Sequence, residues 1–347
     1  MSQVVFSQTI TDHYGRSPKL EICIGDILDC QGETVDFLVM SAFPNDYAKT
    51  ENSLVGRLSG IGVDVKQLSR NKGQDMRKRW LCWVSRELKD ISQPIGRLVC
   101  FENDFDQLSH FPKQNARQSP ADVVGNVFRS VREFLMSDLQ CRARLVRVPQ
   151  LATGDQGHDE LEMLRAIVRQ SFVHLQFCGN TDKIQIFLRP GTPLLQRLLV
   201  EAGLVIQECR SEFPLAKYDS QYDYFISYRH VDSDIKDLLV GSIRKKQPNV
   251  KLFIDSDNLE PGQFWKPALL RAMASSRQTI CLVTDSYPDA SECMDEFHMA
   301  CNFNSQREGF LRPILSLCER DISSLSGSMS RIHWENRGFP PDFSGWA

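Results

Sequence analysis

Short apolar runs alternate with helix-period segments along the whole chain, and this alternation is the feature that most limits the fold. In the first part, five runs are predicted to be strands, at 20–24, 35–42, 96–101, 143–149 and 183–188. Between them, apolar residues fall on one helical face within 124–135, 161–175 and 194–199. Strands that alternate with helices predict a layered α/β domain with a largely parallel sheet.

A second α/β series follows residues 211–221, a stretch that has no clear period and contains Pro214. Four further strands are predicted, at 222–228, 250–255, 278–284 and 310–315, with helices between them. The predicted organisation is a first domain at 1–210, a linker at 211–221 and a second domain at 222–347. The final residues, 323–347, are rich in Ser, Gly and Pro and are expected to be loop-like.

One segment, 76–90, places Trp80 and Trp83 beside several basic residues. We expect a helix that buries its aromatic side chains and exposes its charges. The alternative is a surface that binds nucleic acid or a membrane.

Composition limits the class of protein. The 347 residues suffice for two domains, and the net charge of −3 argues against a nucleic-acid platform. The 11 cysteines form no CxxC pair, which favours reduced thiols in a cytoplasmic protein over a zinc ribbon. The first residues do not resemble a signal peptide, and no stretch approaches the ~20 apolar residues of a membrane span, so no membrane association is expected.

Four segments of the second domain occur in an order typical of one family. They read YDYFISYRHVDSD (222–234), KLFIDSDNLEPGQFW (251–265), TICLVTDSYPDASECMDEF (279–297) and FLRPIL (310–315). From about residue 222 to 334, the chain resembles a Toll/interleukin receptor (TIR) domain. The resemblance implies a flavodoxin-like α/β fold with a mainly parallel sheet. It also implies one of two functions, either non-enzymatic TIR–TIR assembly or cleavage of the N-glycosidic bond of NAD+.

Glu296 lies where the resemblance places the catalytic glutamate of NAD-cleaving TIR domains. Nicotinamide is already a cationic leaving group, and the transition state resembles an oxocarbenium ion, which a single carboxylate can stabilise. The competing interpretation is that Glu296 is a solvated helix residue. Because adaptor TIR domains generally lack this glutamate, its presence favours the enzymatic branch.

The same resemblance implies further NAD-contacting residues in the loops after the first two strands of this domain. They are Tyr228, Arg229, His230, Asp255, Glu260 and Phe264. His230 could instead be a surface residue and Phe264 a core residue. NAD+ would be a substrate, so no cofactor is expected, and a homo-oligomer assembled through TIR domains is expected. Asp255 and Asp257 do not predict a metal site, since no further ligand accompanies them.

The first domain carries a second resemblance. IGDILDCQGETVDFLVMSA (24–42) and VPQLATGDQGHD (148–159) are similar to the opening and the second phosphate loop of macrodomains. The resemblance implies that Asp26 binds an adenine amine and Ile27 packs on the ring. A set of loop residues would surround the phosphates, namely Thr153, Gly154, Asp155, Gln156 and Gly157. The alternative is that Asp26 and the glycines serve turn geometry.

The first domain departs from hydrolytic macrodomains after its second strand. Asparagines are expected there, but the residues present are Met40, Ser41, Ala42, Phe43 and Pro44. We therefore expect binding of an ADP-ribose-like or cyclic nucleotide without ADP-ribosyl hydrolysis. The combined hypothesis is a cytoplasmic, immune-type NAD+ glycohydrolase or cyclase controlled by a nucleotide-sensing domain. The alternative is a scaffold that assembles through TIR domains and binds ADP-ribose or ADP-ribosylated partners.

Overall fold

A computed structural model describes residues 2–50, 53–102, 118–137, 143–153, 157–213, 220–255 and 265–317, together with 320, 329, 333–337, 341 and 343. The chain divides into two compact units, Met1–Leu215 and Ala216–Ala347. The division lies within the segment 211–221 that the sequence indicated as a linker. Each unit combines one sheet with several helices, so the predicted class of two α/β domains is confirmed.

The described residues of the N-terminal unit form one eight-stranded sheet. Its strands are β1 (Gln3–Thr9), β2 (Lys19–Ile24), β3 (Val35–Ala42), β4 (Lys72–Met76), β5 (Cys82–Ser85), β6 (Ile95–Glu102), β7 (Ala143–Pro149) and β8 (Thr181–Leu188). They follow the order β1-β2-β8-β7-β3-β6-β5-β4. The five central strands run parallel to one another, namely β2, β8, β7, β3 and β6. At the edges, β1 is antiparallel to β2, β5 is antiparallel to β6, and β4 is antiparallel to β5. The parallel centre matches the prediction, because β2, β3, β6, β7 and β8 are the five predicted strands.

Helices connect these strands. They are α1 (Leu54–Gly60), α2 (Val65–Arg70), α3 (Arg77–Trp80), α4 (Pro120–Ser137), α5 (Glu160–Phe177) and α6 (Leu195–Glu212). The apolar stripe of α4 is buried, including Val124, Val127 and Val131. Helix α5 begins after Asp159, whose carboxylate accepts hydrogen bonds from the amides of Leu161 and Glu162, both at 2.9 Å. The predicted helical periods therefore correspond to helices that cover the sheet.

The C-terminal unit contains a second sheet whose described strands are all parallel. Its strands are β9 (Tyr222–Ser227), β10 (Leu252–Phe253), β11 (Ser276–Val283), β12 (Leu311–Leu315) and β13 (Glu335–Asn336). The described helices are α7 (Ser233–Lys246), α8 (Trp265–Ala274) and α9 (Ser291–Gln306). The strand order β10-β9-β11-β12-β13 is the 2-1-3-4-5 order of flavodoxin-like folds, as predicted.

Two predictions of secondary structure were wrong. Segment 76–90 is not one helix, because the four-residue α3 lies between β4 and β5, and Leu81 turns the chain with a φ of 55°. Trp80 and Trp83 are fully buried, so they do not form a surface for nucleic acid or membrane. In the tail, β13 pairs with β12, so 323–347 is not entirely loop-like.

The nine described cysteines are all buried and all free thiols, in line with their predicted place in the core. None of the helices in the described parts of the chain combines the length and apolar character needed to cross a membrane.

Candidate active site

The C-terminal sheet has a topological switch point between its neighbouring strands β9 and β11. From β9 the chain passes through α7 to β10 on one side, and from β11 it passes through α9 to β12 on the other. The two connections separate at the carboxyl ends of these strands, where open α/β sheets generally have a crevice. Open α/β sheets bind ligands at such a crevice, so this edge is the first place to look for a site.

The two loops at this crevice are held together by polar contacts. The Arg229 guanidinium donates to the carbonyl oxygen of Ser286 at 2.7 Å. The hydroxyl groups of Thr284 and Ser286 donate to one carboxylate oxygen of Asp232, at 2.6 and 2.5 Å. These bonds fix the loop after β9 against the loop after β11. Arg229, a predicted NAD contact, therefore also has a role in holding the loops.

Glu296 lies on α9, and its carboxyl group reaches the end of β9. Its Oε2 is 2.5 Å from the hydroxyl of Ser227, the last residue of β9. The Ser227 hydroxyl is also 2.6 Å from the hydroxyl of Tyr287, which donates to the carbonyl oxygen of Cys293 at 2.9 Å. Glu296 is only partly buried, whereas Ser227 and Tyr287 are fully buried. The carboxyl group is thus held from the protein side at the crevice and is not a solvated helix residue.

The environment of Glu296 favours its protonated form. Burial raises the pKa of the Glu296 carboxyl to about 8, and the hydrogen bond from Ser227 lowers it only in part. The negative charges of Asp255, Glu292 and Asp295 act in the same direction as burial. A carboxyl group with a strongly shifted pKa in a crevice is a candidate for chemistry.

The predicted NAD contacts after β9 and β10 lie at the same edge. His230 and Asp255 form a pair, with 2.7 Å between His230 Nε2 and Asp255 Oδ2, and the His230 side chain is largely exposed. The Tyr228 ring is buried, and its centroid lies 5.5 Å from that of His230. The structure therefore brings Tyr228, Arg229, His230 and Asp255 to the edge where Glu296 lies. Glu260 and Phe264 lie outside the described residues.

The N-terminal unit places its predicted binding residues at the carboxyl ends of β2 and β7. Asp26 accepts a hydrogen bond from the amide of Leu28 at 2.8 Å and forms an ion pair with Arg57. Ile27 is buried in the core. Thr153 is partly buried, and Gly157 has a φ of 67°, while 154–156 lie outside the described residues. Asp26 therefore already serves a turn and an ion pair, and its role toward a nucleotide stays a prediction.

Sequence reasoning missed the residues that support the carboxyl group. Ser227 is a polar residue within an apolar strand, and this exception to the pattern was the available signal. Tyr287 lies in a turn-like DSYPD stretch, so nothing in the sequence indicated that its ring is fully buried beneath the crevice. Arg57 gave no signal either, because its partner Asp26 is 31 positions away.

Comparison with known families assigns the C-terminal unit. Residues 225–340 match the family model described as the TIR domain. The C-terminal unit contains a TIR domain. The prediction made from its motifs is thereby confirmed, and Glu296 lies within the matched residues of the TIR domain. No curated protein matches the chain.

Solved structures with similar folds include both kinds of domain. A macrodomain from Oceanobacillus iheyensis with MES bound has 15% identity, covers 60% of this chain and 100% of its own, and has a TM-score of 0.42. A Trypanosoma brucei macrodomain in complex with ADP has 12% identity, covers 54% and 68%, and has a TM-score of 0.38. A metazoan TIR-STING receptor from C. gigas, in complex with 2′,3′-cGAMP, has 14% identity and a TM-score of 0.32. It covers 38% of this chain, which spans about two fifths of that receptor (39%).

Proposed function

We propose that the TIR domain is an NAD+ glycohydrolase in which Glu296 is the catalytic residue. The observation that carries the proposal is the Glu296 carboxyl group at the β9–β11 switch point, held by Ser227 and only partly buried. A crevice at this position suits a dinucleotide, and a carboxylate suits a reaction that develops positive charge on a ribose.

The chemistry requires little from the protein. The bond that breaks joins C1′ of the ribose to the nicotinamide nitrogen, and its electrons pass to the cationic ring, so no general acid is needed. Ionised Glu296 would stabilise the positive charge that develops at the ribose. Water then adds to C1′ and loses a proton, which gives ADP-ribose, or an adenine nitrogen of the same molecule adds instead and gives a cyclic product. Tyr228, Arg229, His230 and Asp255 would form the walls that position the dinucleotide.

The deciding measurement is NAD+ turnover by the wild type, Glu296→Ala and Glu296→Gln, followed as nicotinamide release. We expect both variants to lose at least 100-fold in kcat, the order of effect seen when one electrostatic stabiliser of a transition state is removed (roughly 10²–10³). Glu308→Gln is the matched control, because Glu308 is exposed and follows the end of α9. Turnover by the wild type that persists in both Glu296 variants would disprove the role of this residue.

We also propose that TIR domains of several chains assemble before NAD+ is cleaved. The proposal rests on the resemblance to TIR enzymes, whose sites are completed by a neighbouring copy. Turnover per chain should then rise with protein concentration. A specific activity that is constant from dilute to crowded solutions would show that one chain suffices.

For the N-terminal unit we propose binding of an ADP-ribose-like or cyclic nucleotide that regulates the TIR domain. Support comes from Asp26, which follows β2, and from the loop after β7 that contains Thr153 and Gly157. Both strands are parallel members of one sheet, with β8 between them, so they end at the same edge. A screen of nucleotides for a rise in melting temperature tests this, since a ligand that binds only the folded state stabilises it by mass action. We place the protein in the cytoplasm, because its described cysteines are free thiols.

A further inference from the structure

We propose that Ser227 and Tyr287 form a hydroxyl relay that orients the Glu296 carboxyl group and reverses its donor direction when that group ionises. The relay runs from Glu296 through Ser227 and Tyr287 to the carbonyl oxygen of Cys293. Ser227 and Tyr287 are positioning residues in this proposal, since they act on substrate only through Glu296. It rests on the proposed function for its role in turnover, but the relay itself is a property of the protein without substrate.

A count of hydrogen atoms gives the relay its direction. Its three contacts, of 2.5, 2.6 and 2.9 Å, each need one hydrogen. The Cys293 carbonyl can only accept, so Tyr287 donates to it. Ser227 must then donate to Tyr287, and the remaining contact needs a hydrogen from Glu296. All three bonds therefore form together when the carboxyl group is protonated.

Ionisation of Glu296 changes this arrangement. The carboxylate can only accept, so the Ser227 hydroxyl must turn and donate to it. Tyr287 is then left to donate to either Ser227 or the Cys293 carbonyl. The bond from Ser227 to the carboxylate becomes charge-assisted, and such bonds are shorter and stronger than neutral ones. Ser227 thus offers a bond to both forms of Glu296, which holds the carboxyl group in one orientation throughout.

The remaining groups around the carboxyl do not replace the relay. From α9, Glu292 and Asp295 face Glu296 with negative charge, as does Asp255 after β10. From β11, the Cys281 thiol lies beside both relay hydroxyls, but burial raises its pKa, so it stays a neutral and weak donor. The guanidinium of Arg229 acts on Cys293 and donates to the Ser286 carbonyl. Among the described residues, the main charges that act on Glu296 are negative, so the cationic nicotinamide of bound NAD+ would supply positive charge that favours its ionised form.

The relay also leaves one carboxyl oxygen available. Ser227 contacts Oε2, and in the described part of the chain no hydrogen bond to Oε1 is present. Glu296 as a residue keeps part of its surface exposed. In this proposal Oε1 is the oxygen that a ribose hydroxyl of the substrate would meet. The relay thereby separates the two oxygens into one that is held by the protein and one that meets the substrate.

The test uses three variants of the full chain. Ser227→Ala removes the donor to the carboxylate, and Tyr287→Phe removes only the hydroxyl behind it while keeping the ring. Ser276→Ala is the matched control, because Ser276 is an equally buried serine at the opposite end of the neighbouring strand and bonds the Ala272 carbonyl. Folding of each variant is checked by the proton spectrum of its methyl groups.

Two readouts follow Glu296. The first is the ¹³C resonance of its carboxyl group against pH, identified as the signal that is absent from Glu296→Gln. The second is the pH profile of NAD+ turnover. The profile of kcat/KM gives the pKa of Glu296 in the free enzyme, and the profile of kcat gives its pKa in the complex with NAD+. Ser227→Ala should move the titration of Glu296 and of kcat/KM upward by about one pH unit, the worth of one hydrogen bond to a charged group. Tyr287→Phe should move both downward and by less, because the lost hydroxyl takes part in two bonds of the protonated arrangement and in one bond of the ionised arrangement. Ser276→Ala should move neither.

In the wild type, the midpoint of the acid limb should occur at a lower pH for kcat than for kcat/KM, because the cationic nicotinamide of bound NAD+ favours the carboxylate form of Glu296. If the wild type turns over no NAD+, the proposed function fails, and the carbon resonance still decides the relay. Titrations that are unchanged in both Ser227→Ala and Tyr287→Phe would overturn the relay. A loss of turnover in Ser276→Ala as large as that in Ser227→Ala would also overturn the relay, because both losses would then be explained by a disturbed sheet.

Discussion

At the level of single residues, the raised pKa of Glu296 has a consequence for stability that needs no substrate. In the unfolded chain the carboxyl group titrates near its ordinary value of 4.5, and in the folded protein near 8, so the folded state binds one more proton between these values. The stabilisation from this proton is complete below about pH 4.5 and is lost as the pH rises toward 8. Glu296→Gln keeps a neutral amide at the same place and loses nothing over this range.

We therefore predict that Glu296→Gln becomes more stable relative to the wild type as the pH rises. The difference should grow by about 1.4 kcal/mol per pH unit between pH 5 and 7.5, which is the value for one proton. Hydrogen exchange of the β11 amides at several pH values measures it in the C-terminal unit. A difference that is independent of pH would mean that Glu296 is already ionised in the folded protein, and Glu308→Gln should show no such trend.

At the level of elements, the end of α5 depends on one glycine. The helix ends at Phe177, and Gly179 turns the chain with a φ of 61°. A Cβ at this position would lie 2.6 Å from the ring of Tyr14, too close for any side chain. Gly203 within α6 is a contrasting position, because a Cβ there would meet no atom within 4 Å.

The same substitution should have opposite effects at these two glycines. Gly179→Ala should destabilise the N-terminal unit by about 1–3 kcal/mol, from the left-handed backbone and the displaced Tyr14 ring. Gly203→Ala should stabilise it by about 0.5–1 kcal/mol, since alanine is the better helix residue. Urea denaturation of both variants gives the two signs. Equal effects of either sign would contradict the local explanation.

Elements were predictable where the pattern was long and apolar. The runs 35–42 and 143–149 became β3 and β7 without any change of boundary. Both are rich in Val and Leu, which is typical of strands buried in a parallel sheet. Segment 76–90 misled because Trp80 and Trp83 have helical spacing, while the left-handed Leu81 between them starts a new strand. The two-residue β13 carries too little pattern to predict, and it forms because β12 offers it an edge.

At the level of the whole molecule, motif order identified the TIR domain and topology placed its crevice, but neither could give the relay behind Glu296. Ser227, Tyr287 and Glu296 come from a strand, a turn and a helix that are up to 69 positions apart. Their contacts depend on how α9 packs against the sheet, which no local pattern encodes. The mutual pairing of Asp26 and Arg57 was hidden for the same reason.

The proposed fusion of a nucleotide-binding unit with a TIR domain also has a thermodynamic consequence. If ADP-ribose-like ligands at the N-terminal unit change the affinity of the TIR domain for NAD+, then NAD+ must change the affinity of the N-terminal unit for those ligands by the same factor.

Glu296→Ala is the protein in which to measure this coupling, because it should bind NAD+ without consuming it. We expect the dissociation constant of ADP-ribose, measured by calorimetry on this variant, to differ with and without saturating NAD+ by about 5-fold or more, the usual scale of such coupling. A lower constant with NAD+ would mean that the ligand activates, and a higher one that the product inhibits. ADP-ribose that binds with one unchanged constant would show that the N-terminal unit does not regulate the TIR domain through affinity.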